Sequence, residues 1–276
     1  MHNIFQTGRR RNLKLGTQTH HEDPHGRETM SKRFNNLLFP RSIRGLIVGK
    51  SGCGKTTLLL NFLLRPGWLD YNNLNVFGKS LFQPEYKILK KAFEEKLPKQ
   101  AILRLFDSQN EIADLNVSPL SIVEEMAKNA PDKSDIECNF FENASDVPDP
   151  RELSPDKKNL MVFDDLLLER QHTCESYYTR GRHSNVDCFY LAQNYFKLPR
   201  QTIRENANFI CLFPQDLKNT NHIYNDHVSS DMAKEEFRKL CKAAWERPHG
   251  FLVIDLSSKK DGGKYRMGLD TFYIPN

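Results

Sequence analysis

Residues 43–57 read Ile43-Arg44-Gly45-Leu46-Ile47-Val48-Gly49-Lys50-Ser51-Gly52-Cys53-Gly54-Lys55-Thr56-Thr57, and the leucine-rich run Leu58–Leu64 follows. The apolar stretch Ile43–Val48 predicts a short strand. Lys55–Leu64 has the length and periodicity of a helix, stopped by Arg65-Pro66-Gly67. Between them Gly49–Thr56 fits the pattern GxxxxGK[ST] at every fixed position. Glycines at these positions let successive backbone N–H groups turn inward around an anion, while the following helix presents its positive amino end to the same anion. Gly49, Lys50, Ser51, Gly52, Cys53, Gly54, Lys55, Thr56 and Thr57 are therefore predicted to cradle the phosphates of a nucleotide. Lys55 is expected to reach the β- and γ-phosphates, Thr56 to set its hydroxyl on Mg²⁺, and Thr57 to help through its N–H or side chain. The alternative is a plain tight turn between strand and helix. Cys53 reads as a small filler at a variable position rather than a redox switch.

Outward from this stretch, Asn75–Phe77 predicts a second short strand and Glu85–Lys96 an amphipathic helix closed by Pro98. Leu160–Phe163, Cys188–Ala192 and Phe209–Phe213 are continuous apolar runs, as in strands buried on both faces of a parallel sheet. Asp231–Ala244 has helical spacing, and Phe251–Leu256 with Tyr265–Ile274 predicts a C-terminal β-hairpin across Lys260–Gly263. The expected class is α/β.

The chain has 276 residues, 38% hydrophobic and 27% charged, which suits one globular domain and excludes a disordered or fibrous chain. Its apolar runs fall short of the ~20 residues that cross a bilayer, and the amino terminus lacks a secretory stretch, so an intracellular protein without a membrane partner is expected. Six scattered cysteines with no CxxC pair argue against a zinc ribbon or a disulfide framework. The net charge of +5 is uneven: residues 1–106 carry 19 Lys and Arg against 7 Asp and Glu, residues 107–157 carry 4 against 13, and residues 158–276 carry 17 against 15. A basic front half permits a polyanionic partner and equally fits a solvated surface. Residues 1–32, with Arg9–Arg11, Lys14, His20, His21 and His25, read as a disordered basic leader; a nucleic-acid arm and a metal site are the alternatives, and Met30 is a second candidate start. Residues 33–276 form the expected domain, interrupted at about 107–157 by an acidic, proline-bearing insertion with one helix, Ser121–Asn129.

Leu160–Asp165 places two carboxylates where an apolar strand emerges. Combined with a phosphate loop upstream, the pattern assigns Asp164 to Mg²⁺, held through water, and Asp165 to orienting or deprotonating the attacking water. Asp165 is otherwise a helix cap, if Leu166–Glu169 begins a helix. Gln193, at the end of the run Cys188–Ala192, is placed to sense the γ-phosphate or its water. Arg180, Arg182, Arg200 and Arg204 are candidates for stabilising phosphoryl charge on a neighbouring subunit, or are surface residues.

The combination GKSGCGKTT (Gly49–Thr57), LMVFDD (Leu160–Asp165), RGRH (Arg180–His183), LAQNYFKLPRQTIREN (Leu191–Asn206) and a final FLVIDL (Phe251–Leu256) hairpin resembles the viral genome-packaging ATPases of the FtsK–HerA superfamily. More narrowly, it is similar to the poxvirus-type ATPases of large DNA viruses, virophages and Maverick/Polinton elements, over about residues 33–276. The resemblance implies an ASCE-type, RecA-like P-loop fold with a mainly parallel central sheet flanked by helices, in which a strand separates the phosphate-loop strand from the acidic strand. It also implies ATP and Mg²⁺ as cofactors, a homo-oligomeric ring of six or five subunits, and double-stranded DNA driven into a capsid, with a capsid or portal protein as partner. By position it makes Lys55 and Thr56 the phosphate and metal residues, Asp164 the second metal-side group, Asp165 the catalytic carboxylate, Gln193 the sensor and Arg204 the first candidate for a finger acting in trans. Many superfamily members carry Glu where this chain has Asp165, one methylene shorter, and Glu169 is a weak substitute. A helicase or recombination-type ATPase, a small-molecule kinase and a non-hydrolysing nucleotide-binding scaffold are the competing functions.

Overall fold

A computed structural model describes residues 38–108 and 118–275, and the basic leader falls outside them. Nine strands form one sheet in the order β3-β2-β4-β5-β1-β6-β7-β8-β9. They are β1 (Arg44–Val48), β2 (Asn73–Gly78), β3 (Glu137–Phe141), β4 (Asn159–Asp164), β5 (Val186–Ala192), β6 (Phe209–Leu212), β7 (Leu252–Asp255), β8 (Tyr265–Met267) and β9 (Thr271–Tyr273). The strands from β3 to β6 pair in parallel, and β7, β8 and β9 continue the sheet antiparallel. The helices are α1 (Lys55–Leu64), α2 (Pro84–Glu94), α3 (Lys99–Asp107), α4 (Pro119–Asn129), α5 (His172–Arg180), α6 (Leu217–Ile223) and α7 (Lys234–Trp245). This is the expected α/β class, and β5 does lie between the phosphate-loop strand β1 and the acidic strand β4.

Alternation along the strands divides the core. On one face, Ile47, Val76, Val162 and Leu191 join Leu59, Phe62 and Leu63 of α1 and Leu89 of α2. Leu46, Phe77, Met161, Phe163 and Tyr190 pack with α5 and α7 on the other. Successive strand side chains point to opposite faces, so a sheet covered on both sides needs apolar residues at every position, which is why the central strands read as unbroken apolar runs.

Several expectations are corrected. Leu166–Glu169 forms a single turn, with the Glu169 N–H on the Leu166 carbonyl at 3.0 Å, and no helix begins until His172. Asp165 stands at φ 56°, a left-handed conformation that ends the strand and turns the chain, so it caps no helix. The acidic stretch 107–157 contains the expected helix, α4, and also contributes β3, which pairs in parallel with β2 at the sheet edge. Its burial alternates only weakly, as suits a strand with one partner. Tyr265–Ile274 is divided at Gly268, where φ is 67°, into β8 and β9. Helix α7 starts at Lys234 rather than Asp231, because Asp231 turns its carboxylate to Lys264 and to the Tyr265 hydroxyl, 2.7 Å away.

Candidate nucleotide-binding and hydrolysis site

Register places the chemistry. Val48 of β1 is opposite Ala192 of β5, and Leu191 of β5 is opposite Asp164 of β4, so three parallel strands finish level. The residues that follow them, Gly49, Gln193 and Asp165, therefore meet at one edge of the sheet.

The phosphate loop is built tightly at its start. A Cβ on Gly49 would lie 2.4 Å from Cys53 Sγ and 2.7 Å from Phe213 Cβ. Gly54 takes φ 106° at the amino end of α1, which has no side-chain cap and no acidic residue in its first turn. The first N–H groups and the positive end of the helix dipole are thus left to an anion. The Lys55 ammonium donates to the carbonyls of Gly49 (2.7 Å) and Lys50 (2.9 Å), which holds its charge within the loop. Thr56 and Thr57 occupy the first turn of α1. Burial raises the Cys53 thiol against the pull of Lys55, as suits a filler rather than a reactive thiolate.

At the acidic edge the two carboxylates differ in environment. Asp164 is 7% exposed, and its Oδ2 accepts a 2.6 Å hydrogen bond from the Tyr86 hydroxyl. Burial raises its carboxyl above the ordinary value, opposed by that hydroxyl and by the Lys55 ammonium. Asp165 is exposed; its Oδ1 accepts from Gln193 Nε2 at 3.2 Å and its Oδ2 from Ser80 Oγ at 3.2 Å. The donor set suits Mg²⁺: the Asp164 carboxylate and the Thr56 hydroxyl are hard oxygens of the kind that ion takes. No cluster of three His, Cys, Asp or Glu that could hold a metal occurs among the described residues. A magnesium ion that takes most of its shell from phosphate oxygens and water needs no more than this.

The arginines do not join this constellation. Arg204, in the π-helical turn Arg200–Arg204, is 5% exposed; its Nε lies 3.5 Å from Asp226 Oδ2 and its guanidinium 5.0 Å from the Tyr195 ring centre. A group acting on a neighbouring subunit has to reach the surface, so burial argues for a structural role for Arg204. Arg200, on the same turn, keeps 66% of its side chain exposed. Arg180 and Arg182 are exposed but precede β5, at the amino end of a seven-residue strand whose carboxyl end carries Gln193. At ~3.3 Å per residue that is more than ~20 Å from the site of their own chain. Glu169 is turned toward Lys79, 3.9 Å away.

Three contributors have no signal in the sequence. Ser80 and Tyr86 belong to the segment that leaves β2 and opens α2, and between them they hold both carboxylates. His249, at φ 57°, brings its Nδ1 to 3.0 Å from the Cys53 carbonyl and braces the loop from the α7–β7 connection. Only the pairing of β2 with β4, Gly78 opposite Asp164, brings the first two into place.

No protein-family model matches the chain, and no curated protein matches it. Among solved structures it is similar to the genome packaging NTPase B204 from Sulfolobus turreted icosahedral virus 2 in complex with ATP-gammaS, at 11% identity over 78% of this chain and 93% of that chain, with a TM-score of 0.47. It is also similar to VirB4 of Thermoanaerobacter pseudethanolicus, at 11% identity over 76% and 86% with a TM-score of 0.41. A third is the bacterial conjugative coupling protein TrwB, at 12% identity over 67% and 72% with a TM-score of 0.34.

Proposed function

We propose that this chain is an ATP-hydrolysing motor that moves double-stranded DNA into a viral capsid. The observation that carries the hydrolytic half is the 3.2 Å hydrogen bond from Gln193 Nε2 to Asp165 Oδ1, at the strand ends flanking an uncapped phosphate loop. Lys55 and the N–H groups of α1 would hold the phosphates, and Thr56 with Asp164 would hold Mg²⁺, whose positive charge would offset that of the phosphate oxygens. Asp165 accepts the proton of the attacking water while Gln193 and Ser80 fix the carboxylate's orientation. The kinase alternative needs no carboxylate beside a strand-end amide to activate water. The DNA-moving half rests on the sequence resemblance carried by Arg180–His183 and Leu191–Asn206 and on the basic body of the chain. In a ring of such subunits, the exposed Arg200 takes the role of the finger in trans in place of the buried Arg204.

The test is ATP hydrolysis with and without long double-stranded DNA across a salt series, with the oligomeric mass measured alongside. Stimulation by DNA that fades as salt rises is expected, because contacts to phosphate release counterions. Hydrolysis that ignores DNA at every salt concentration, or that depends on a small soluble acceptor, overturns the motor reading.

A further inference from the structure

The loop that follows β5 carries Gln193 into the site and, two residues later, sends Tyr195 into the core, where its side chain is fully buried. The Tyr195 hydroxyl sits between Asp226 Oδ2, 2.9 Å away, and His227 Nε2, 2.8 Å away, both in the π-helical turn Tyr224–Val228 that continues α6. A phenol has one proton to give. Here it goes to the carboxylate, so His227 stands as the neutral tautomer that carries its proton on Nε2 and donates to the phenol oxygen. Burial favours that neutral imidazole, holding the His227 pKa down at about 4.

Asp226 is the hub of the cluster. Its side chain is 8% exposed, and besides Tyr195 it faces two arginines: Arg204 Nε lies 3.5 Å from Oδ2, and Arg200 Nε lies 4.0 Å from Oδ1. The buried Nε and Nη1 of Arg204 have no hydrogen-bond acceptor among the described residues, so the Asp226 charge and the face of the Tyr195 ring are what offset its burial. A buried ion pair adds little net stability over apolar packing; what it can supply is a fixed geometry.

That geometry bears on Gln193. One residue beyond Tyr195, the Phe196 N–H donates to Asn219 Oδ1 at 3.0 Å, and Asn219, itself buried, is fixed by Asp216. Upstream, the Gly49 N–H bonds the Ala192 carbonyl at 3.0 Å. Gln193 and Asn194 therefore bridge a fixed strand end and a fixed anchor, which leaves the Gln193 backbone little room to move away from Asp165.

We infer that Tyr195, Asp226 and Arg204 are positioning residues for hydrolysis, holding the end of β5 so that the Gln193 amide meets the Asp165 carboxylate. The inference rests on the reading of Gln193 and Asp165 as the pair that orients the attacking water. It gives Arg204 a task inside its own subunit. Steady-state ATP hydrolysis is measured for wild type, Tyr195→Phe, Gln193→Ala and the double variant. Tyr195→Phe keeps the buried ring and removes only the hydroxyl, and it is expected to lower kcat about tenfold at unchanged KM. In the Gln193→Ala background the same change is expected to have no further effect, because the group it positions is gone. Asp226→Asn, which removes the charge at nearly constant shape, is expected to behave alike in both backgrounds, and wild-type ATP affinity in calorimetry reports that each variant is folded. Equal fractional losses of kcat in the two backgrounds, a loss carried by KM, or a wild-type kcat in Tyr195→Phe overturns the positioning role and leaves the site standing. Gln193→Ala that hydrolyses ATP at the wild-type rate overturns the water-orienting reading itself.

Discussion

The phosphate loop and the acidic stretch that follows it in the chain obey different rules. In Arg44–Leu64, several tasks are set by close neighbours in the chain, with Phe213 and His249 added from afar: Gly49 by the crowding of Cys53, Gly54 by its positive φ, Lys55 by the carbonyls of Gly49 and Lys50. Residues 118–157 carry local signals only in part: α4 and the Asp149–Glu152 capping box follow from near neighbours in the chain, and β3 does not. Strand β3 exists because β2 offers an open edge, and the stretch is fastened from a distance. The Ser134 N–H bonds the Lys96 carbonyl at 2.8 Å, the Glu137 N–H bonds the Asn72 carbonyl at 3.0 Å, and Lys91 of α2 pairs with Glu124 of α4 at 3.2 Å. Acidic composition did not prevent a strand, because an edge strand leaves half its side chains in water and needs only one partner. The two regions also meet through α2, whose first turn carries Tyr86 to Asp164 while its flank packs against α4.

That contrast can be broken by separating binding from stability. Lys55→Ala is expected to weaken ATP binding by about 100-fold or more, ~3 kcal/mol, while costing at most ~1 kcal/mol of stability, because the two hydrogen bonds it loses go to carbonyls of a loop that water reaches. Calorimetric binding and thermal unfolding on the same sample check both halves. In β3, Phe140 pairs with Val76 and packs against the core, so Phe140→Lys is expected to cost ~2 kcal/mol of stability in a denaturant titration while ATP affinity stays at the wild-type value. A loss of nucleotide affinity in that variant would show that the acidic stretch serves the site after all.

Tyr86→Phe tests the bridge between the regions. Removing the hydroxyl that orients Asp164 is expected to raise the Mg²⁺ concentration needed for tight nucleotide binding by about tenfold, at unchanged Mg²⁺-free affinity. Equal Mg²⁺ dependence in both proteins would reduce Tyr86 to a packing residue. The smallest effect belongs to Asn139→Ala. This change takes a 3.1 Å hydrogen bond from Asn75, which is 2% exposed, and is expected to lower stability by ~1 kcal/mol in chemical unfolding without touching binding.

The sequence made the strand, loop and helix of residues 43–64 legible because their conformations follow from glycine positions and apolar runs. Helix α1 begins and ends where the pattern places it, at Lys55 and Leu64. The buried strands β4, β5 and β6 were equally readable, since a strand covered on both faces has to be apolar throughout. Helix α5 was not, because its few buried positions, Cys174, Tyr177 and Tyr178, leave a weak periodic signal. Of the candidate site, Asp164, Asp165 and Gln193 were legible as residues at strand ends and Lys55 as the residue that opens α1, whereas Arg204 looked like its exposed neighbour Arg200 until the fold buried it against Asp226.

By itself, then, the sequence determined the phosphate loop and the residue types that end each strand, because those are local consequences of glycine freedom, helix polarity and apolar runs. Only the tertiary structure decided the rest. It inserted β5 between β1 and β4 and levelled their ends, gave Ser80 and Tyr86 to the two carboxylates, and gave β2 an acidic neighbour. These are pairings between residues tens to more than a hundred positions apart, fixed by strand register and by which faces must be buried together.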